Sequence, residues 1–239
     1  MLAPAQSKTL RIAAAADLQP VLPAFIQNFQ QSSGITVEAS YASSSTLATQ
    51  ILNGAPYDLF LAANLAFPQK VVDGGLAIEP KPVPYALGSL ILWARKGVLP
   101  RSLTMQGLKD SSVHRIAVAN PIHAPYGAAA IAAIQSLGLT EALKPKLVFA
   151  ENIAQAAQFG ESGNADCALI SKTIAITPTM QNAGRFVPVP ANTYPPIQQG
   201  AVILRNAPNQ KGAEAFLHYL QSASGRSLLA SSGLEPPPQ

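Results

Sequence analysis

The sequence predicts an α/β protein, because short apolar runs typical of buried strands alternate along the chain with segments of helical apolar spacing. Such alternation is typical of a doubly wound, mostly parallel sheet flanked by helices. In sheets of this kind, ligands bind beyond the carboxyl ends of the strands, where loops lead into helices. The chain has 239 residues, enough for one large domain or for two lobes.

The first half of the chain begins with a strand and a proline-containing helix. A buried strand is predicted from Leu10 into the alanines that follow, and it runs into Asp17, a candidate N-cap. The next helix extends to about Gly34, although Pro23 would cost it a hydrogen bond unless the regular helix begins there. Further strands are predicted at 35–41, 58–62 and 89–94, and further helices at 44–53 and 67–74.

The second half continues the alternation. Strands are predicted at 116–119, 146–150, 167–170, 185–189 and 201–204, and helices at 128–137 and 153–159. One long amphipathic helix is predicted at 211–229, since Ala213, Phe216 and Leu220 fall on one face. No repeat of 20–50 residues is visible in the sequence.

The composition argues against several classes of protein. Charged residues make up only 12% of the chain, and the net charge of +4 comes from 16 Lys and Arg against 12 Asp and Glu. Since there is no dense basic run, nucleic-acid binding has little support. No run of 18 apolar residues indicates a transmembrane helix. The start, MLAPAQSKTL, lacks the pattern of a signal peptide, so the protein is either cytoplasmic or has lost such a peptide.

Common enzyme and metal motifs are absent from the sequence. It contains no Walker A pattern, no G-x-S-x-G elbow and no H-E-x-x-H pair. The single Cys167 lies in an apolar run and is expected to be a buried hydrophobe, which excludes an intrachain disulfide and a cysteine metal cluster. Of the three histidines, which have no metal spacing, His123 in a turn-rich loop is the one candidate base.

Four junctions between a predicted strand and a predicted helix share a composition. They lie at 13–18, 42–47, 119–130 and 150–157, and all lack Lys and Arg while being rich in small residues. A helix N-terminus offers unpaired N–H groups and about half a positive charge, so several together can bind an anion without a cationic side chain. Each junction alone is better explained by ordinary capping. The prediction of an anion site therefore rests on their joint occurrence.

Three stretches of the sequence resemble a known family. YASSSTLATQILNGAPYDLFLAAN, IAVANPIHAPYG and KLVFAENIAQAAQF are similar, in this order, to sequences of the periplasmic molybdate-binding proteins of ABC importers. The similarity extends over nearly the whole chain. It implies a two-lobed, type II periplasmic-binding-protein fold with the ligand in the cleft. One lobe would comprise 1–84 and 198–239 and the other 85–197, with hinge crossings near 84–87 and 194–199.

The resemblance also implies which residues hold a tetrahedral oxyanion. The family's ligand positions fall at Ala16, Asp17, Ser44, Tyr126, Ile153 and Ser171. A carboxylate that faces a dianion is unfavourable, so the Asp17 side chain is expected to turn away and leave its main-chain N–H for the ligand. Ser171 stands where some members have a tyrosine, which leaves Tyr126 to supply a phenol.

The role of the three serines at 43–45 follows from the same resemblance. Ser44 would be the hydroxyl ligand, while either Ser43 or Ser45 caps the helix. Ile153 would contribute only its main chain.

The implied protein is a periplasmic, monomeric binding protein and not an enzyme. It would capture molybdate or tungstate through hydroxyl and N–H hydrogen bonds, with no direct metal-ion ligand and no cofactor. It would then deliver the anion to an ABC transporter permease, its one link to the membrane, and would bind no nucleic acid.

Three alternatives stand beside this interpretation. The departures at Asp17 and Ser171 leave room for a binder of sulfate or another small anion on the same fold. A transcriptional regulator would need a helix-turn-helix segment, for which the chain before the first strand has no room. An enzyme would need a base beside a nucleophile, and only His123 near Tyr126 or Ser44 could supply one.

Overall fold

The computed structural model describes residues 9–98 and 102–237. The prediction about a signal peptide rests on the first ten residues, of which 1–8 lie outside the described part. The chain divides into two compact units. Unit I comprises the chain up to Ala86, Gln198–Ser231 and the end of the chain from Glu235, and unit II comprises Leu87–Ile197 and Ser232–Leu234. The hinge role predicted for the crossings near Ala86 and Gln198 stays a prediction.

The described residues form ten strands and ten α-helices. The strands are β1 (Thr9–Ala15), β2 (Thr36–Ala42), β3 (Leu59–Ala62), β4 (Val83–Gly88), β5 (Leu90–Arg95), β6 (Ile116–Ala119), β7 (Leu147–Ala150), β8 (Cys167–Ser171), β9 (Gly184–Pro188) and β10 (Ile197–Ile203). The helices are α1 (Leu22–Ser33), α2 (Ser44–Leu52), α3 (Ala66–Asp73), α4 (Pro125–Ser136), α5 (Thr140–Leu143), α6 (Ile153–Glu161), α7 (Lys172–Ala175), α8 (Pro178–Ala183), α9 (Gln210–Gln221) and α10 (Ala223–Ser231). Short 3-10 helices occur at Ala16–Leu18, Gln106–Lys109, Lys144–Lys146 and Ala191–Thr193.

Each unit is built on one five-stranded sheet. The order is β2–β1–β3–β10–β4 in unit I and β7–β6–β8–β5–β9 in unit II. In both sheets the first three strands are parallel, and the fourth is antiparallel to its neighbour. The predicted α/β class is confirmed, but the sheets are mixed. The strand β5 comes soon after the chain enters unit II, and β10 contains the point where the chain returns to unit I, so neither is reached through a crossover helix within its own sheet.

Two predicted helices have different bounds in the structure. Asp17 does not cap α1, because that helix begins four residues after the 3-10 turn Ala16–Leu18 with Val21 at its N-cap position. Pro23 lies in the first turn of α1, where its missing N–H breaks no helical bond. The alanine-rich helix α4 begins at Pro125, three residues earlier than predicted. This proline also lies in the first turn, where its missing N–H breaks no helical bond.

The helix predicted at 211–229 is two helices, α9 and α10. The break falls at Ser222, whose Oγ accepts the N–H of Gly225 at 3.1 Å. A methyl group at Gly225 would lie 2.2 Å from the carbonyl oxygen of Tyr219, so only glycine allows the chain to turn this closely. The amphipathic spacing runs through the break and does not reveal it.

Trp93 on β5 is the largest fully buried side chain, and it lies in unit II. Its Nε1 donates to the carbonyl oxygen of Met180 at 2.9 Å. A methyl group at Gly160 or Gly184 would lie 2.7 or 2.3 Å from the indole ring. The two glycines therefore leave the volume that the indole fills, as close packing of the core requires.

The two units repeat one arrangement that no sequence repeat reveals. In unit I, Asp58 Oδ2 accepts the N–H of Arg11 at 2.7 Å, and the Asp58 N–H donates to the Arg11 carbonyl at 2.8 Å. In unit II, Asp166 makes the same two bonds with Arg115, both at 2.9 Å. The aspartate thus joins the start of β3 to β1 in unit I, and the start of β8 to the start of β6 in unit II.

Candidate functional site

The carboxyl ends of β1, β2 and β3 lie at one edge of the unit I sheet, because these three strands are parallel. The 3-10 turn Ala16–Leu18 follows β1, and α2 follows β2. The predicted site residues Ala16, Asp17 and Ser44 therefore share this edge, and all three are buried.

The start of α2 separates the roles of its serines. Ser43 Oγ accepts the N–H of Thr46 at 3.1 Å, so Ser43 and not Ser45 is the N-cap. Ser44 is 1% exposed, and its Oγ accepts the N–H of Ala63, just after β3, at 3.1 Å. A hydroxyl that accepts in this way keeps its proton to donate, and it has no second partner among the described residues. The N–H groups of Ser44 and Ser45 are not used by the cap.

Asp17 is fully buried, and its side chain is bonded to a strand distant in sequence. Its Oδ2 accepts a hydrogen bond from Nε2 of Gln199 on β10 at 2.5 Å. Gln199 Oε1 in turn accepts from the Tyr85 hydroxyl on β4 at 2.7 Å. Burial raises the pKa of the Tyr85 phenol well above its ordinary value, and the charge of Asp17 raises it further. Tyr85 is therefore a proton donor throughout the neutral range. Whether the Asp17 N–H faces a ligand stays a prediction.

The carboxyl ends of β6, β7 and β8 share one edge of the unit II sheet in the same way. Tyr126 is the second residue of α4, Ile153 the first residue of α6 and Ser171 the last residue of β8. The structure thus gathers three of the predicted site residues at this edge, all of them buried.

The NPIHAPYG loop is organised by its asparagine. Asn120 Oδ1 accepts the N–H of Ile122 at 3.0 Å, and the Asn120 carbonyl accepts the N–H groups of His123 and Ala124 at 3.1 and 2.9 Å. These bonds turn the chain into the extended Ala124 and the first-turn Pro125 of α4.

Gly127 is required by a close approach at the start of α4. A methyl group there would lie 2.1 Å from the carbonyl oxygen of Ala119, at the end of β6. The first turn of α4, which carries Tyr126, is therefore held directly against this strand end.

The first turn of α6 is capped on both sides. Asn152 Oδ1 accepts the N–H of Gln155 at 3.0 Å, and Gln155 Oε1 accepts the N–H of Glu151 at 2.7 Å. This leaves the N–H groups of Ile153 and Ala154 outside the cap, at the positive end of the helix.

Two further contacts surround this edge. The Ser171 and Thr173 hydroxyls lie 2.8 Å apart and share a hydrogen bond. His123 Nδ1 lies 3.2 Å from Glu151 Oε1, which joins the loops that precede α4 and α6. His123 therefore lies beside a carboxylate, and Ser44, one of the nucleophiles considered for an enzyme, belongs to the other unit.

Neither the thiol nor a metal cluster adds chemistry to these edges. Burial, with a smaller contribution from Asp166, raises the pKa of the Cys167 thiol to about 12, so it stays protonated and unreactive. Within 9–98 and 102–237 no group of three His, Cys, Asp or Glu side chains could hold a metal ion. No helix of the described chain is long and apolar enough to cross a membrane.

Sequence reasoning missed Gln199, Tyr85 and the N–H of Ala63. Their partners lie 182, 114 and 19 residues away in the chain, so no local spacing connects them. The one sequence signal was Gln199 itself, a polar residue that lies two positions before the predicted buried strand 201–204.

Each of the two α/β units has helix N-termini at the carboxyl edge of its sheet, an arrangement suited to binding a small anionic solute. Residues 10–235 match the family model described as bacterial extracellular solute-binding protein. The chain belongs to this family.

Several relatives of this chain are named for the same ligand, molybdate. The molybdate-binding protein ModA of Azotobacter vinelandii is 34% identical over 96% of this chain and 90% of its own length. ModA of Rhodobacter capsulatus is 34% identical over 86% of this chain and 79% of its own length. The solved periplasmic molybdate-binding protein of A. vinelandii superposes with a TM-score of 0.88 at 30% identity, over 96% of this chain and all of that one.

These similarities confirm the predicted resemblance and the type II fold. The relatives are binding proteins by name, which also confirms the prediction that the chain is not an enzyme.

Proposed function

We propose that this chain is a periplasmic binding protein that captures molybdate or tungstate and delivers it to an ABC transporter permease. The observation that carries the proposal is Ser44. Its buried hydroxyl lies at a helix N-terminus, accepts from Ala63 and keeps a proton to donate. Relatives with about a third of their residues identical are molybdate-binding proteins.

The proposed ligand set consists of hydrogen-bond donors. Ser44 donates through its hydroxyl, Asp17 and Ile153 through their main-chain N–H groups, and Tyr126 through its N–H or phenol. The four junctions contain no Lys or Arg, so the helix N-termini balance the charge of the anion. Such a set favours a fully deprotonated tetrahedral oxyanion, because the proton of hydrogen phosphate would find no acceptor.

Capture would occur by closure of the two units on the anion. Donors from both units then contact one ligand, and the differential affinity for the closed form shifts the population toward it. The hinges would be the crossings near 84–87 and 194–199. The closed monomer would be the form that the permease recognises.

Two departures from the family's ligand positions leave a second candidate, a binder of sulfate or another small anion. The Asp17 carboxylate is buried at the proposed site, where its charge opposes a dianion. Ser171, bonded to Thr173, also leaves the tyrosine position of some family members without a phenol.

Thermal unfolding with molybdate, tungstate, sulfate and phosphate in turn distinguishes these candidates. A ligand at a thousand times its dissociation constant adds about 4 kcal/mol to the free energy of unfolding, which raises the midpoint by about ten degrees for a chain of this length. We expect this shift with molybdate and tungstate only. A shift with sulfate alone would establish a sulfate binder, and no shift with any of the four would contradict the capture of molybdate, tungstate and sulfate alike.

Asp17→Asn tests the electrostatic role of the carboxylate. The substitution keeps an acceptor for Gln199 and removes one negative charge, so we expect molybdate to bind about fivefold more tightly. Isothermal titration calorimetry provides the measurement. Asp73→Asn on α3, which removes an exposed charge from the same unit, is the control and should leave the affinity unchanged. A loss of affinity in Asp17→Asn would mean that the carboxylate organises the site.

A further inference from the structure

Asp17, Gln199 and Tyr85 form a buried chain of hydrogen bonds in unit I. The Tyr85 hydroxyl donates to Gln199 Oε1 at 2.7 Å, and Gln199 Nε2 donates to Asp17 Oδ2 at 2.5 Å. Asp17 and Gln199 have no exposed surface, and Tyr85 is 2% exposed. Buried polar chains of this kind hold their members in one orientation, because breaking one bond leaves a desolvated group unsatisfied.

The bonds also have a fixed direction. The Tyr85 hydroxyl lies against the amide oxygen of Gln199 and donates to it. That bond places the amide oxygen toward Tyr85 and the amide nitrogen toward Asp17. A carboxylate can only accept, so the two ends of the amide match their partners in this orientation and in no other.

Gln199 and Tyr85 lie beside the points at which the chain passes between units. Tyr85 is on β4, one residue before Ala86–Leu87, and Gln199 is on the neighbouring β10, just after Ile197–Gln198. The Tyr85 oxygen also lies 3.5 Å from the carbonyl oxygen of Ala62 at the end of β3. This contact is longer, and therefore weaker, than the hydrogen bond to Gln199. The next residue is Ala63, whose N–H holds Ser44 Oγ.

We propose that Gln199 and Tyr85 are positioning residues for anion binding, which fix the Asp17 turn and couple it to the two strands where the chain changes unit. This inference rests on the proposed function. The Gln199 amide holds the Asp17 carboxylate on the β10 side, and Tyr85 prevents the amide from rotating. Without Tyr85 the Gln199 amide oxygen loses its donor, the side chain is held at one end only, and the hydrogen bond that draws the Asp17 carboxylate toward β10 is weakened.

The test measures molybdate affinity by calorimetry and, separately, thermal unfolding without ligand. We expect Tyr85→Phe to weaken binding about fivefold and Gln199→Met about tenfold, since each removes one member of a buried hydrogen-bonded chain. The matched control is Tyr57→Phe, which removes an exposed hydroxyl bonded to Gln50 at the opposite end of β3 and should leave the affinity unchanged.

A double-mutant cycle separates positioning from general destabilisation. An asparagine at position 17 can pair with either orientation of the Gln199 amide and carries no charge. In an Asp17→Asn background, we therefore expect Tyr85→Phe to lose most of its effect on affinity.

Each outcome has one meaning. No binding of molybdate by the wild-type protein would overturn the proposed function itself. Binding by the wild type with equal affinity in Tyr85→Phe, even at a lower unfolding temperature, would overturn the positioning role alone. An undiminished effect in the Asp17→Asn background would show that Tyr85 does not act through Asp17 and would also overturn it. If Gln199→Met does not fold, the Tyr85 cycle still decides the question.

Discussion

Gly127→Ala is expected to lower the free energy of unfolding by about 2–3 kcal/mol, the effect of overpacking a well-packed region. The new methyl group would lie 2.1 Å from the Ala119 carbonyl oxygen; the methyl is fixed directly to the backbone of α4, and the carbonyl belongs to the backbone of β6. Since neither can rotate away, the first turn of α4 must move from the end of β6. At this chain length the unfolding midpoint should fall by about 4–12 °C.

The same displacement should weaken anion binding, because Tyr126 is next to Gly127 in the first turn of α4. The control is Gly74→Ala at the end of α3, where φ is −73° and the nearest atom, at 2.9 Å, is the end of the Leu52 side chain. Leu52 is 43% exposed and can swing away, so the control should unfold within about 0.5 kcal/mol of wild type. An equal midpoint for Gly127→Ala and wild type would refute the close approach as the reason for glycine.

Local spacing was enough to predict the strands and helices that carry the site. β6 is found at the predicted residues, and α2, β3 and α6 differ from their predicted bounds by one or two residues at an end. These elements are short, strongly apolar and bounded by clear turn residues. β4 was not predicted as a strand, because Pro82 and Pro84 interrupt its apolar pattern. Its place in the sheet depends on pairing with β10, more than a hundred residues away, which no local pattern contains.

The capping residues show where sequence alone stops. The sequence does not distinguish three consecutive serines from one another. Only the backbone conformation shows that Ser43, which is extended, is the N-cap. Asp17 is a residue type that often caps helices, yet α1 begins only at Leu22, with Pro23 in its first turn, and the Asp17 carboxylate bonds Gln199 instead. The direction of a side chain depends on partners distant in sequence. The sequence can therefore indicate which residues lie at the site, but not which role each side chain has.

Ser44→Ala is the second substitution expected to have a large effect. The variant loses a donor to the anion, and a hydrogen bond to a charged group is worth about 1–3 kcal/mol, or a loss of about five- to 150-fold in molybdate affinity. The substitution also leaves the Ala63 N–H without the hydroxyl that accepts from it at 3.1 Å. A smaller loss of stability should therefore accompany the loss of affinity.

The neighbouring serines separate these two effects. Ser43→Ala removes the N-cap and should cost about 1 kcal/mol of stability with little change in affinity, because its Oγ is bonded to Thr46. Ser45→Ala changes the same kind of side chain one residue further on and should alter neither quantity. Calorimetry and thermal unfolding on all three variants compare them directly. If Ser44→Ala loses stability but binds molybdate as wild type does, the hydroxyl serves only Ala63 and is not a ligand of the anion.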